Sequence, residues 1–332
     1  MNKVLTAMDK SGSFRVYLTI STELVQQAAD IHQTTPLATA ALGRVLTGAG
    51  LMGLLLKNPQ DKVTVIFKGD GPARQILATA DGEGRVKGYI ANPDVDLPLK
   101  ENGKLDVGGS LGEGTLTVIK DLGLKEPYIG KISLVSGEIA EDLTAYYYIS
   151  EQQNSAISLG VKIERDLSVG CAGGMIIQML PGADEEAVDN LEQLIGKMEP
   201  ITTLIDRVCR AEGSEQETAP AKAAPKTRGQ EAVQKTTTPT IWSDEKAVRL
   251  LAEEIFKEMP EAFRLDVLEI REIKWECDCS EERLEKALMT IGKDDLTEII
   301  QEDGKAELVC QFCLKKYNFD KEQLLRILES IK

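Results

Sequence analysis

Trp275-Glu276-Cys277-Asp278-Cys279-Ser280 and, further on, Val309-Cys310-Gln311-Phe312-Cys313 hold four of the chain's six cysteines in two tight pairs. Four thiolates with no histidine nearby form a soft, all-sulfur tetrahedral set, which selects zinc and leaves no open coordination position for catalysis. Common fingers and ribbons put about two to four residues between the first two ligands. Here only Asp278 intervenes, so a tight loop is expected at Cys277 to Cys279 and a knuckle turn at Cys310 to Cys313. The same closeness allows either pair to bridge, and a strained, exposed disulfide tends to be labile or regulatory. Two states therefore stay open, zinc on four thiolates or a zinc-free form with two local disulfides. A ribbon that never changes state fits the spacing equally well.

Working outward, 332 residues suggest roughly two domains at ~150 residues each. The net charge of -15 opposes nucleic-acid binding, which needs clusters of lysine and arginine. Met1 to Asp9 lacks the apolar core and cleavage site of a signal peptide. Leu37 to Leu56 carries Arg44 as its only charge and is long enough to span a bilayer. Against a span stand Gly43, Gly48, Gly50, Gly53 and the central arginine, which would cost ~2.5 to 3.5 kcal/mol in a membrane. A buried helix of a soluble protein is expected, with no membrane partner. Close cysteine pairs fit a reducing cytosol, so the expected location is cytoplasmic.

From the N-terminus, strands are expected at Lys3 to Met8 and Phe14 to Ile20 around the turn Asp9-Lys10-Ser11-Gly12. A helix capped by Ser21 or Thr22 should run to about Gln33, and Pro36 should open the apolar helix. Val63 to Lys68, Gln75 to Thr79 and Arg85 to Ile90 read as an antiparallel meander. Further strands are expected at Thr115 to Lys120, Tyr128 to Ser133, Ala156 to Lys162 and Met175 to Leu180. Helices are expected at Ala140 to Gln152, Asp184 to Lys197 and Ile201 to Arg210. Without regular alternation of strand and helix the class is α+β.

Residues 212–240 lose their aromatics and balance four acidic against four basic residues, so a disordered linker is expected. Ser243 should cap a helix with Ala247, Leu250, Leu251 and Ile255 on one face, stopped by Pro260. Ile273, Trp275 and Cys277 alternate as a strand. Between the cysteine pairs Leu284, Ala287, Leu288 and Ile291 form a helical face ended by Gly292, and a short helix follows Asp294. Asp303-Gly304 turns into a strand ending at Cys310. A last helix, capped by Asp320 with Gln323, should bury Leu324, Leu325, Leu328 and Ile331.

Gly69-Asp70-Gly71-Pro72 and Gly170-Cys171-Ala172-Gly173-Gly174 lack a phosphate-loop lysine and read as turns and bulges. His32, the only histidine, reads as a helix-end residue, and Cys171 and Cys209 as small packed residues. Tyr146, Tyr147 and Tyr148 should divide between core and surface. No nucleophile with a positioned base emerges, so no catalytic residue is expected.

The zinc-domain pattern resembles the redox-regulated 33 kDa chaperonin family (heat shock protein 33). It rests on Cys277-Asp278-Cys279-Ser280, Arg283, Ala287-Leu288, Gly292, Ile299-Ile300, Val309-Cys310-Gln311-Phe312-Cys313, Tyr317 and Phe319. Upstream, His32 to Pro36, Ala40-Ala41-Leu42-Gly43-Arg44, Gly69-Asp70-Gly71-Pro72, Gly88-Tyr89, Gly173-Gly174, Gln178 and Pro181 are similar to the family's core. The resemblance covers nearly the whole chain except 212–240, which looks like an insertion.

The resemblance implies four segments: a core holdase domain over 1–211, a disordered insertion or linker over 212–242, a helical linker region over 243–274 and a zinc-binding redox switch over 275–332. It implies one zinc ion per chain on Cys277, Cys279, Cys310 and Cys313, with disulfides Cys277 to Cys279 and Cys310 to Cys313 after oxidation. It further implies an ATP-independent holdase, not an enzyme, that binds unfolding client proteins under oxidative and heat stress and dimerises when oxidised. A constitutive zinc-ribbon scaffold for a fixed protein partner is the competing expectation.

Overall fold

The computed structural model describes residues 2–216 and 245–331. The expected linker lies outside the described residues from 217 onward, as does Ser243. Contacts divide the chain into two compact units, Met1–Trp275 and Glu276–Lys332.

The first unit opens with β1 (Asn2–Asp9) and β2 (Phe14–Ile20), whose turn is tied by Asp9: its carboxylate accepts from the backbone N of Ser11 at 3.0 Å and of Phe14 at 2.7 Å. α1 (Thr22–His32) begins without a side-chain cap, because the expected Ser21 hydroxyl bonds instead to Thr47 at 2.7 Å. α2 (Pro36–Leu54) is capped by Thr35 and carries proline in its first turn. β3 (Lys62–Gly69), β4 (Gln75–Asp81) and β5 (Arg85–Ile90) form the expected meander. Then come α3 (Val107–Leu111), β6 (Gly114–Asp121), β7 (Tyr128–Ser133), α4 (Ala140–Ser150), β8 (Ser155–Ile163), β9 (Val169–Met179), α5 (Glu185–Lys197) and α6 (Ile201–Gln216). α7 (Glu245–Phe256) and β10 (Leu265–Trp275) complete the unit.

Ten strands join in the order β7-β6-β3-β4-β5-β10-β1-β2-β9-β8. All neighbours are antiparallel except β10 and β5, which run parallel and meet only at Lys274 with Arg85 and Trp275 with Val86. The half around β1, β2 and β9 is covered on both faces. Val4, Tyr17 and Ile176 join the core built on α2, while Leu5, Val16, Leu18 and Ile177 join a second core with α5, α6 and α7. Double cover is why these strands read as near-continuous apolar runs, whereas β3, β4 and β5 alternate strictly and bury one face.

α2 is long and apolar enough to cross a membrane, yet 94% of its apolar window is buried among the strands. Arg44 leaves the helix through an ion pair with Glu138 at 2.7 Å. Glycines allow the close packing: a Cβ on Gly53 would stand 2.8 Å from both the Ala80 Cβ and the Asp81 carbonyl.

Two expectations change here. Gly170 to Gly174 holds the expected bulge, at Gly170 where the register with β8 slips, but no turn: it is the first half of β9, where Gly173 faces Ile20, and a Cβ there would meet the Thr19 carbonyl at 2.4 Å. Residues 243–274 hold the expected helix, with Ala247, Leu251 and Ile255 buried. They also hold an eleven-residue strand, β10, expected only at its Ile273 and Trp275 end.

The second unit contains α8 (Glu281–Thr290), α9 (Lys293–Glu302), the hairpin β11 (Lys305–Val309) and β12 (Lys316–Asp320), and α10 (Lys321–Ser330). Ser280 caps α8, and, as expected, Asp320 with Gln323 forms a capping box on α10. Leu288, Leu296, Ile300, Tyr317, Phe319, Leu324 and Ile327 make its core. The face of α10 is rotated from expectation: Ile327 is buried, and Leu325 is 40% exposed. Strands and helices in both units make the class α+β.

Candidate metal centre

The hairpin sets the second cysteine pair. Val309 faces Lys316 in the ladder, so Cys310 to Lys315 form its connection. Cys310 donates its N–H to the Lys315 carbonyl at 3.0 Å, and Leu314 donates to the Cys310 carbonyl at 2.8 Å from a left-handed conformation, φ 57°. This is the expected knuckle. The expected tight loop at the first pair is absent. Residues 276–280 run without a turn, and Ser280 is extended at φ -141°, ψ 164°. In an extended chain side chains two apart project to the same side, so no sharp turn is required to bring both sulfurs together. Arg283 fixes this strip by donating to the Asp278 carbonyl at 3.2 Å and pairing with its carboxylate.

The four sulfurs of Cys277, Cys279, Cys310 and Cys313 all lie within 4.8 Å of one another. Cys277 is 3.7 Å from Cys310, and Cys279 is 3.4 Å from Cys313. A tetrahedral ion with Zn–S bonds of about 2.3 Å places its sulfurs about 3.8 Å apart. The donor set therefore fits a zinc-sized ion with small adjustments. All four cysteines are free thiols here.

Their electrostatics are uneven. Burial pushes the Cys277 and Cys313 thiols above the ordinary range. At Cys279 burial acts in the same direction but is outweighed by hydrogen bonds, first from Tyr317 and then from Cys313, and the thiol falls to about 7. The Tyr317 hydroxyl stands 3.2 Å from both the sulfur and the carbonyl oxygen of Cys279. Spacing arguments about cysteines alone overlook this tyrosine. The signal that finds it is the alternation Tyr317, Phe319 in β12, which turns both rings inward from the knuckle.

The remaining candidates lie in the first unit, away from any such cluster. Cys171 and Cys209 are buried in the second core; the Cys171 thiol bonds to the Thr202 carbonyl at 3.4 Å and is pushed by burial to about 12. His32 ends α1 as expected, with Nε2 3.1 Å from the Gly88 carbonyl and its ring edge-on to Trp275. Tyr146 and Tyr147 are buried and Tyr148 is exposed. Asp70 to Arg74 form the turn between β3 and β4.

Comparison with known proteins gives one answer along the whole chain. The family profile described as "Hsp33 protein" matches residues 2–219 and 215–320. A "33 kDa chaperonin" of Alkaliphilus oremlandii is 42% identical over 331 residues, covering 99% of this chain and 97% of that one. Another, from Clostridium tetani, is 41% identical and covers 99% of each. The crystal structure of the heat shock protein 33 homolog of Thermotoga maritima superposes with a TM-score of 0.78 at 34% identity, covering 99% of this chain and 98% of that one. Fold, four-cysteine cluster and sequence agree: the chain belongs to the Hsp33 family, whose members are chaperones and not enzymes.

Proposed function

We propose that this chain is a redox-regulated, ATP-independent holdase whose resting state is locked by zinc on Cys277, Cys279, Cys310 and Cys313, one ion per chain. The observation that carries the reading is the gathering of four thiols in a unit whose core cluster has seven buried side chains among the described residues. The ion would supply a tetrahedral cross-link between the strip before α8 and the β11–β12 knuckle, and such links contribute an apparent ~10 to 16 kcal/mol to the folding of small domains.

Oxidation acts on the thiolates. Peroxide transfers one oxygen to a thiolate sulfur, giving a sulfenic acid as the O–O bond breaks and water leaves after protonation. The neighbouring thiol then attacks that sulfur, forming the S–S bond and expelling a second water. Each disulfide consumes two electrons' worth of oxidant. Pairing Cys277 with Cys279 and Cys310 with Cys313 removes all four donors, and neither local bridge replaces the link between the two strips. The C-terminal unit then melts and residues 243–274 detach from the core. The apolar surfaces uncovered on both capture unfolding proteins in a reducing cytoplasm under oxidative attack, and the oxidised chain dimerises. With a net charge of -15, nucleic acid is not its partner.

One titration tests this. Zinc release, free thiols and suppression of client aggregation are followed together as peroxide is added to the full chain. The expected result is coincident zinc loss, thiol loss and onset of suppression. Zinc retained through the titration, with the same suppression before and after, discards the switch and leaves a constitutive zinc-ribbon scaffold.

A further inference from the structure

Sulfur is unevenly spread through the first unit. The chain has eight methionines, and four of them, Met175, Met179, Met198 and Met259, lie in or against the second core together with Cys171 and Cys209. Among the described residues the larger core holds only Met52. Two of the four methionines line one cavity at the joint of α5, α6 and α7. Met198 ends α5, and Met259 follows α7, its N–H donating to the Phe256 carbonyl at 3.1 Å. With Leu194, Leu204 and Ile255 they enclose about 260 Å³ that opens to solvent. At the rim Arg207 of α6 pairs with Glu199 at 2.5 Å and with Glu254 of α7 at 2.9 Å. Exposed ion pairs of this kind contribute little, so the apolar lining is what seats this end of α7.

We infer that Met198 and Met259 form a second oxidant-sensing site, one that reacts with hypohalous acids at its thioethers and needs neither the clustered thiols nor zinc. It rests on the proposed release of residues 243–274 only for its consequence, to which it adds a separate input. A thioether sulfur displaces hydroxide from the chlorine of hypochlorous acid, and water then replaces the chloride with loss of protons. The net change is one oxygen gained and two electrons given up at sulfur, with one chloride and one proton released. The cavity lets a molecule little larger than water reach half-buried Met198, and through it buried Met259. The product is a polar sulfoxide in place of a flexible apolar side chain. Leu194, Leu204 and Ile255 offer its oxygen no side-chain donor, and a buried acceptor without one is costly. The sulfoxide is satisfied only by turning out to the charged rim, which withdraws it from the packing and loosens the C-terminal end of α7.

The test treats the full, zinc-loaded chain with hypochlorite, then returns it to dithiothreitol and zinc, which reopen disulfides and refill the thiol site but leave sulfoxides in place. Peptide mass spectrometry is expected to find one added oxygen on Met198 and on Met259, and none on Met52, sealed in the larger core. After the return, α7 amides should still exchange about tenfold faster than before treatment, and methionine sulfoxide reductases should restore them. In the double variant Met198→Leu, Met259→Leu, which keeps the volume without the thioethers, thiol and zinc alone should bring exchange back to the resting rate. Three results overturn the proposal: Met198 and Met259 left unoxidised, α7 protection in the parent restored by thiol and zinc alone, or fast exchange persisting equally in the leucine variant. If zinc release and suppression of aggregation still follow peroxide when those results appear, the methionine site alone falls. If suppression ignores oxidant, the thiol switch falls, and the exchange of α7 still decides the methionines.

Discussion

The two units solve the problem of staying folded by different means. Among the described residues Met1–Trp275 has two large cores, of 37 and 24 buried side chains, the larger wrapped around a helix that is almost wholly internal, and a small third cluster. Glu276–Lys332 has seven such side chains and four sulfurs pointed at one spot. Small domains bury too little surface to stand alone and need a staple. Under the proposed switch the contrast gives the reason a redox signal stays local: the clustered thiols that an oxidant can change lie in the unit with the smaller core.

Removing the metal should produce the largest effect. A chelator, or the substitution Cys310→Ser, withdraws an apparent ~10 to 16 kcal/mol from the C-terminal unit. Amide exchange is expected to become unprotected across β11 and β12 while β3, β4 and β6 hold theirs. Protection that survives in the hairpin would mean the seven-residue core suffices, and the comparison would collapse.

Core truncation sharpens the same contrast at smaller scale. Phe67 and Phe319 are both essentially fully buried, one in each unit. Replacement by alanine costs roughly 3 to 5 kcal/mol at either place. Phe67→Ala is expected to lower the melting temperature of the first unit and leave zinc affinity alone. Phe319→Ala should weaken zinc by on the order of 100-fold or more, because folding and metal binding there are one equilibrium. A competition assay with a chromophoric chelator separates these outcomes.

Much of this was legible in the sequence, and the failures have physical causes. The strands β2, β5 and β7 end where their alternation and turn residues say, and α2 reads correctly because its glycines and lone arginine argue for tight packing over lipid. β10 was mostly hidden. Five charges sit among its eleven residues, and the bulge at Leu268 shifts the two-residue period midway, so Val267 and Ile270 fall out of phase. β9 was half hidden because glycines serve there as clearance for neighbouring backbone, while local propensity reads them as turns. In the candidate metal centre the four cysteine positions follow from residue type and spacing, but the turn-free backbone at 276–280 and the bond from Tyr317 depend on how the chain folds around them, which spacing does not encode.

The thiols give a third contrast, now within the small unit. Cys279, held down to about 7, is half ionised near neutrality, so the stability it contributes to the metal-free fold is present at alkaline pH and lost as pH falls through about 7. Cys277 and Cys313, pushed up by burial, contribute in the opposite sense: their share is present below the ordinary thiol value near 8.5 and lost as pH rises toward their higher folded values. At pH 7 both still carry protons, so zinc binding should release at least two. Calorimetry in buffers of different ionisation enthalpy counts them, and apparent affinity should fall about 100-fold per unit of acidification. Release of one proton or none would mean that the burial of Cys277 and Cys313 does not govern their ionisation.

The smallest effect tests whether even helix capping is felt at the metal. α10 has ten residues, too few to persist on propensity alone, and begins with Asp320 accepting from the Gln323 N–H at 2.9 Å while the Gln323 side chain accepts from the Asp320 N–H. α5 in the first unit has a matching cap, Asp184 accepting from the Glu186 N–H at 2.9 Å. Alanine at either cap costs about 1 kcal/mol. In the first unit that loss is expected to stay local, leaving zinc release to a chelator unchanged in Asp184→Ala. In the second, Leu324 and Ile327 on α10 complete the core behind the knuckle, and the same loss should reach the cysteines. Asp320→Ala should weaken zinc about fivefold, the factor that 1 kcal/mol sets. Identical affinity in the two variants would show that α10 is decoration on a site held by its hairpin alone, and the staple would then belong to twenty residues instead of the whole unit.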